Sequence, residues 1–184
     1  MKNKATMSII IFNFIVFAIT LGGNLFVNVL GNAFDYTFGH WQLWRLLTCM
    51  FVHSGISHIL CNTISLIQLG TVVESIYGKE NFYFIYFVSG IGASICSALI
   101  NGLLGFNIIS IGASGAICGL LGFIFGSLKG NVKNKLISFI FAIAPMIIVG
   151  ISGGNVDNIA HFGGIATGFL IGRLFVRLGI KDDK

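Results

Sequence analysis

Long apolar runs, separated by short polar stretches, dominate this chain. Two of them, "MSIIIFNFIVFAITLGG" and "LISFIFAIAPMIIVGIS", approach the roughly 20 apolar residues that cross the hydrocarbon core of a bilayer. Six such spans can be drawn, at about residues 7–30, 56–77, 82–103, 114–129, 136–153 and 158–177. The pattern predicts an all-α, polytopic membrane protein in which residues 1–184 form a single domain of six transmembrane helices.

The composition agrees with a membrane protein. Of the 184 residues, 55% are hydrophobic and 9% are charged, against roughly 25% charged residues in an average soluble domain. So few charges cannot cover the surface of a water-soluble protein. The four cysteines show no CxxC spacing and fall mostly in the spans, which favours a packing role over redox or metal chemistry.

The net charge of +5 follows the predicted topology and does not indicate a nucleic-acid surface. With six spans, Arg45 is the only basic residue on one side of the membrane. The other ten lie on the opposite side: Lys2, Lys4, Lys79, Lys129, Lys133, Lys135, Arg173, Arg177, Lys181 and Lys184. Because basic loops stay in the cytoplasm, we predict a multi-pass protein of the cell membrane with both termini cytoplasmic and no nucleic-acid partner.

Polar side chains recur within the second span at the spacing of one helical face. His58, Asn62 and Ser65 stand at positions i, i+4 and i+7. Lipid cannot satisfy these groups, so the face must point toward other helices or toward a water-filled cavity. Hydrogen bonding between helices explains this polar face as well as a functional cavity does.

Small residues form two stripes that predict a close contact between helices. One stripe lies on span 6 and the other on span 4: Ala160, Gly164, Gly168 and Gly172, and Gly115, Gly119, Gly122 and Gly126. This spacing lets two helix backbones approach closely. We therefore predict that spans 4 and 6 touch, which brings Ser114 near His161 because each lies at the start of a stripe.

Counting back from the cytoplasmic charges places three polar residues at one depth. Ser114 lies 15 residues before Lys129, His161 lies 16 before Arg177, and His58 lies 16 before the only acidic residue of its span. At about 1.5 Å per residue these distances are roughly 22–24 Å, shorter than a hydrocarbon core about 30 Å thick. The chain before Ser114 must then descend without helix, beside protein or water. We expect a wet cavity above Ser114.

A serine, two histidines and an asparagine in one layer are the parts of a serine hydrolase. Serine is a weak nucleophile until a base removes its proton, and His161 is the candidate base for Ser114. The developing oxyanion needs hydrogen-bond donors. The amide of Asn62, the ring of His58 and the backbone N–H of Ser114 are the candidates.

No carboxylate is firmly placed to complete a triad. Asp157 lies four residues before His161 and can either cap the sixth span or orient the histidine, and capping is the preferred interpretation. Glu74 lies near the cytoplasmic end of its span, too far from Ser114. The sequence therefore predicts a Ser114–His161 dyad.

Five pieces of the sequence, in order along residues 40–178, resemble the rhomboid family of intramembrane serine proteases. They are "WR" at Trp44–Arg45, "HSGISHILCN", "LGTVVESIYG", "GASG" around Ser114 and "VDNIAHFGGIATG" around His161. The order, spacing and span placement of these pieces are specific to that family. The resemblance implies a six-transmembrane-helix rhomboid-like bundle of the simple bacterial type.

The resemblance also implies roles for individual residues. In that family the GxSG serine is the nucleophile, the histidine of the AHxxG motif is the base, and the HxxxN pair helps form the oxyanion hole. Carried over, Ser114 and His161 are catalytic, and His58 and Asn62 form the oxyanion hole with Ser114. The partners implied are transmembrane protein substrates, cleaved within the lipid bilayer near its outer face, without metal or cofactor.

One position departs from the family pattern. Many members place an aromatic residue, stacked on the catalytic histidine, four positions after the nucleophile, where this chain has Cys118. The support of His161 is therefore expected to differ from that in those relatives.

Three alternatives remain at this point. A rhomboid-like protein that binds transmembrane clients without cutting them usually lacks the serine or the histidine, and both are present here. A metal-dependent membrane protease using His53, His58 and His161 should show HExxH or a comparable ligand cluster, which this sequence lacks. A transporter or channel explains the polar layer but leaves the ordered motifs unexplained.

Overall fold

The computed structural model describes residues 3–20, 24–128 and 156–180, and the regular secondary structure in these ranges is helical. The helices are α1 (Lys4–Thr20), α2 (Asn24–Leu30), α3 (Arg45–Thr48), α4 (Ile56–Leu103), α5 (Ser114–Ser127) and α6 (Asn158–Leu178). A π-helical turn at Asp35–Gly39 and a 3₁₀ turn at Cys49–Phe51 lie in the loop between α2 and α4. Within those ranges the only β-type pairing is an isolated bridge between Asn32 and Ser110.

Helix α4 contains two of the predicted spans, joined at one residue. Gly78 adopts φ 79° and ψ 168°, outside the helical region, and the helix resumes directly after it. A positive φ of this kind suits glycine, which has no Cβ. Residues of both arms, His58 from the first and Ser94 from the second, line the same cavity, so the chain reverses direction at Gly78.

The other predicted spans agree with the helices to different degrees. Spans 4 and 6 begin at the first residues of α5 and α6, whereas the first span, predicted from residue 7, begins at Lys4. Of the described helices, Ile56–Leu103 and Asn158–Leu178 are long and apolar enough to cross a membrane, and Lys4–Thr20 and Ser114–Ser127 are shorter apolar helices. The predicted fifth span, 136–153, and its Pro145 lie outside the described residues.

Helix α5 lies at the centre of the described bundle. Every residue from Gly115 to Phe123 is buried, as expected for a helix that is apolar on all sides. Its neighbours are α6 and both arms of α4, which it contacts through small residues: a Cβ placed on Gly119 would overlap the side chain of Ser89 on α4.

The predicted contact between spans 4 and 6 is confirmed. A Cβ on Gly164 would overlap the carbonyl oxygen of Gly115, and a Cβ on Gly168 would overlap that of Gly119. We call this contact the glycine seam, formed by Gly115, Gly119, Gly122 and Gly126 of α5 and Gly164, Gly168 and Gly172 of α6. At five of these seven glycines a Cβ would overlap the backbone of the other helix, whereas at Gly115 and Gly119 it would overlap Ala93 and Ser89 of α4.

The end of the bundle around Gly78 is packed with aromatic rings. The ring of Phe123 lies edge-on to those of Tyr77 and Phe175, with centroids 4.8 and 5.2 Å away. At the same end the Glu74 carboxylate caps α1, accepting hydrogen bonds from the backbone N–H groups of Ala5 (2.9 Å) and Thr6 (2.8 Å) and from the Thr6 hydroxyl (2.7 Å). We call this region the Gly78 end.

Candidate active site

Ser114 is the first residue of α5 and follows ten residues, 104–113, without helix, as the sequence predicted. Backbone hydrogen bonds hold this loop against the segment before α4. Ser110 and Asn32 exchange two of them, at 2.8 and 2.9 Å, and the Gly112 N–H donates to the carbonyl oxygen of Cys49 at 2.8 Å. The loop thus delivers Ser114 to a helix N-terminus, where a backbone N–H has no partner within its own helix.

Gly112 allows the loop to pass directly over the second-span residues. Its φ is 109°, and a Cβ at this position would lie 2.6 Å from His58 Nε2 and 3.5 Å from Asn62 Nδ2. A side chain here would collide with the imidazole. Glycine is therefore required both for the backbone conformation and for the close approach.

His161 lies in the first turn of α6 and contacts Ser114. Its Nε2 is 2.8 Å from Ser114 Oγ, a hydrogen-bond distance. Gly115 of the seam comes directly after Ser114, and Gly164 of the seam comes three residues after His161. The backbone contact between α5 and α6 therefore also sets the distance between the side chains of Ser114 and His161.

His58 and Asn62 face the same space from the first arm of α4. His58 Nδ1 pairs with the hydroxyl of Ser54 at 3.1 Å, which leaves Nε2 directed at the loop beside Gly112. Asn62 is 7% exposed, and its Nδ2 has no hydrogen-bond partner among the described residues. A buried amide donor without a partner is unusual and calls for a functional explanation.

These four side chains line one cavity of about 680 Å³. Its walls also include Ser65, the third member of the polar face of the second span. The structure thus brings together Ser114, His161, His58 and Asn62, the four site residues that the sequence predicted.

Asp157 caps α6, as preferred from the sequence, but it has further partners that the sequence did not indicate. Its Oδ1 accepts from the Ala160 N–H at 3.0 Å, and its Oδ2 accepts from the hydroxyls of Ser97 and Ser110. Among the described residues, no hydrogen bond joins this carboxylate to the ring of His161. The alternative, direct orientation of the histidine by Asp157, is therefore not what the structure shows.

His53 is a buried neighbour of the site that sequence reasoning left without a role. Its Nδ1 lies 3.1 Å from the carbonyl oxygen of Phe51, and its ring stands edge-on to that of His58 with centroids 5.1 Å apart. No group of three His, Cys, Asp or Glu side chains in the described part of the chain is placed to share a metal ion. The position of His53 behind His58, in "HSGISH", was the signal that could have found it.

Cys118 lies one turn after Ser114 in the buried face of α5. It is 2% exposed, and its Cβ is 3.4 Å from a Cβ built at Gly164. At the position where the sequence departs from the pattern that the resemblance implied, this chain thus has a small side chain packed against α6.

The fold and the site together define a class: a bundle of apolar helices with a hydrogen-bonded serine–histidine pair in a cavity that several polar side chains line. Comparison with known proteins identifies the family within this class. Residues 40–178 match the family model of the Rhomboid domain. The chain belongs to the rhomboid family, whose members are membrane proteins and include intramembrane proteases.

Relatives occur in plants and bacteria. The chain is 42% identical over 141 residues to RHOMBOID-like protein 1 of Arabidopsis thaliana, covering 73% of this chain and 35% of that protein. It is 44% identical over 137 residues to RHOMBOID-like protein 2 of the same plant, covering 71% of this chain and 42% of that protein. It is 39% identical over 135 residues to Rhomboid protease GluP of Bacillus subtilis (strain 168), covering 71% of this chain and 25% of that protein. The chain thus spans less than half the length of these three relatives.

Proposed function

We propose that this chain is an intramembrane serine protease that cleaves transmembrane segments of client membrane proteins near the outer membrane face. The observation that carries the proposal is the 2.8 Å contact between His161 Nε2 and Ser114 Oγ in a cavity shared with His58 and Asn62. Membership of a family that includes proteases supports it. No metal or cofactor takes part in the proposed reaction.

In the acylation step His161 acts as the general base. Nε2 accepts the hydroxyl proton of Ser114 while Oγ forms a bond to the carbonyl carbon of the scissile peptide. When the tetrahedral intermediate collapses, the C–N bond breaks and His161 donates the proton to the departing amine. The product is an acyl-enzyme on Ser114.

The oxyanion of the intermediate needs donors that are already in place. Asn62 Nδ2, which has no other partner among the described residues, is the first candidate. His58 Nε2 is the second, and the N–H of Ser114 at the start of α5 is the third. Preorganised donors of this kind stabilise a transition state because they need no rearrangement when charge develops.

Deacylation requires water at membrane depth. A cavity of about 680 Å³ is large enough for many water molecules, and the polar side chains in its lining, among them Ser54, Ser57 and Ser65, provide partners for them. A water molecule, deprotonated by His161, attacks the acyl carbon and regenerates Ser114. The same cavity accommodates an extended segment of client backbone.

The proposed topology has six spans, one domain over residues 1–184, and both termini on the cytoplasmic side of the cell membrane. Two observations support it. Ten of the eleven Lys and Arg residues fall on one side of such a map. The start of α1, capped by Glu74, and the end of α6, at Phe175, both lie at the Gly78 end, opposite the cavity.

The test is cleavage of a panel of transmembrane peptides by purified protein in detergent or vesicles. Wild type should cut at least one peptide, and Ser114→Ala and His161→Ala should each abolish cutting because each removes one member of the dyad. Ser127→Ala, at the other end of the same helix, is the matched control and should cut normally.

Two outcomes would contradict the proposal. Retained cleavage by an inserted, folded Ser114→Ala variant would place the activity elsewhere. Peptides bound by wild type but never cut would favour the non-proteolytic rhomboid-like alternative.

A further inference from the structure

The carboxylate of Asp157 collects hydrogen bonds from three separate segments of the chain. Its donors are the Ala160 N–H on α6, the hydroxyl of Ser110 in the loop, and the Ser97 hydroxyl with the Asn101 amide near the end of α4. A helix cap needs only the first of these bonds. The hydrogen bonds from Ser110, Ser97 and Asn101 therefore have a role other than capping α6.

The two oxygens of this carboxylate have different partners. Oδ1 accepts from the backbone of α6, whereas Oδ2 accepts from both serine hydroxyls, which also lie 2.8 Å from each other. The Asn101 amide approaches both oxygens, at 3.4 and 3.5 Å. Ser97 and Asn101 are 1% and 3% exposed, so their ends of these bonds are fixed in the core of α4.

The positions of these partners connect the two members of the proposed dyad. Ser110 lies four residues before Ser114, and Asp157 lies four residues before His161. The backbone of Ser110 is held by Asn32 on its other side. The carboxylate is thus the direct polar link between the loop that leads to the serine and the helix start that carries the histidine.

We propose that Asp157 is a positioning residue for the reaction. Its carboxylate fixes the loop at Ser110 relative to the first turn of α6 and thereby sets the separation of Ser114 Oγ and His161 Nε2. The glycine seam fixes α5 against α6 from Gly115 onward, and the Asp157 carboxylate adds a second constraint in front of Ser114, where the seam makes no contact. This inference rests on the proposed function, since it concerns the same reaction.

The discriminating variant is Asp157→Asn. Asparagine keeps an oxygen for the Ala160 N–H and is as good a cap as aspartate. Its amide nitrogen, however, cannot accept a hydrogen bond from the two serine hydroxyls. The charged acceptor that holds both of them is therefore lost, and only weaker neutral bonds of reversed direction can replace it. Because misplacement by about 1 Å can cost about 10²-fold in rate, we expect kcat for a cleaved transmembrane peptide to fall between about 10- and 100-fold, with KM within about twofold.

A second variant makes the test specific to the link. Ser110→Ala removes one donor and should lower kcat by up to about tenfold, and the double variant should be no slower than Asp157→Asn alone. The rate of labelling by a fluorophosphonate should fall by the same factors, since it reports the serine–histidine geometry without client binding. Glu74→Gln, which changes the carboxylate at the Gly78 end, is the control and should leave kcat unchanged.

The outcomes separate this inference from the proposed function. If wild type neither cleaves nor is labelled, the proposed function fails, and the positioning role fails with it. If wild type is active and Asp157→Asn keeps its kcat while only its melting temperature falls, Asp157 is a cap alone and this inference is overturned. Should Asp157→Asn not insert, Ser110→Ala decides, because an unchanged kcat in that variant contradicts the link.

Discussion

The two ends of this helix bundle use buried polar groups in different ways. At the Gly78 end, the Glu74 carboxylate accepts three hydrogen bonds from α1, and aromatic rings fill the space beside it. At the opposite end, which we call the site end, the four predicted site residues line an open cavity, and the Asn62 amide donor has no partner in the described ranges. The buried carboxylate at the Gly78 end thus has its hydrogen-bond partners within the described protein, whereas the buried amide donor at the site end does not.

This difference has a physical meaning. A buried donor without a partner costs free energy, commonly about 1–3 kcal/mol. The hydroxyls of Tyr86 and Ser89 are also buried without a partner in the described ranges, but of these groups Asn62 alone lines the cavity. At the site end the proposed role of this donor is to stabilise the transition state, whose oxyanion would complete the missing hydrogen bond. At the Gly78 end no transition state has to be stabilised, and the Glu74 hydrogen bonds together with aromatic packing hold the helices in place.

The glycine seam joins the two ends. It runs from Gly115 and Gly164 beside the site to Gly126 and Gly172 near the aromatic cluster. Substitutions at the site end should therefore change catalysis, those at the Gly78 end should change stability, and those in the seam should change both.

A large side chain in the seam should have the greatest effect. In Gly168→Leu the new side chain overlaps the carbonyl oxygen of Gly119, so α6 must move away from α5. We expect cleavage to fall below detection and the melting temperature to drop. Ala166→Leu, which adds similar bulk to an exposed position of the same helix, is the matched control and should retain both. Full activity in Gly168→Leu would mean that the seam does not set the site.

Removing an oxyanion donor should lower the rate without unfolding the protein. Asn62→Ala deletes a buried donor that makes no other hydrogen bond in the described ranges, so kcat should fall about 10²- to 10³-fold while the melting temperature changes little. His58→Ala should act in the same direction. Steady-state kinetics on a cleaved peptide would measure this. A rise in KM at constant kcat would instead assign these residues to client binding.

The carboxylate at the Gly78 end should show the reverse behaviour. Glu74→Ala leaves the N–H groups of Ala5 and Thr6 without their acceptor, which should cost about 2 kcal/mol in the free energy of unfolding. Thermal unfolding in detergent would register the loss. The kcat measured well below the melting temperature should match wild type, and a large fall in kcat would show that the two ends are not separable.

The smallest effect is expected on the client side. A transmembrane helix ties its carbonyl groups into intrahelical bonds, so it must unwind before Ser114 can attack. Replacing one glycine near the cleavage site of a client by leucine stabilises the helix by about 0.9 kcal/mol, which should slow cleavage about fivefold. Cleavage rates of paired peptides would show this. Equal rates for the pair would indicate that unwinding does not limit the reaction.

The sequence predicted best what depends on local pattern. The starts of α5 and α6, at Ser114 and Asn158, follow from apolar periodicity, from the loop before one and from the Asp157 cap before the other. The seam follows from the four-residue spacing of small residues, because that spacing places them on one helix face. These features can be predicted without knowing which residues far along the chain they contact.

What the sequence missed depends on residues far apart in the chain. The start of α1 at Lys4 is set by Glu74, a cap supplied from another helix about 70 residues away. The partners of Asp157 were missed for the same reason, since Ser97 is separated from it by 60 residues. No local rule connects such pairs, because only the packed bundle brings them together.

Activation of Ser114 by His161 can be measured directly by covalent labelling of the serine. Purified wild-type protein is treated with a fluorophosphonate, digested, and analysed by mass spectrometry. We expect one adduct on Ser114 in wild type, and no adduct in Ser114→Ala or in folded His161→Ala. Absence of labelling in an inserted, folded wild-type protein, or undiminished labelling of Ser114 in His161→Ala, would show that His161 does not activate Ser114.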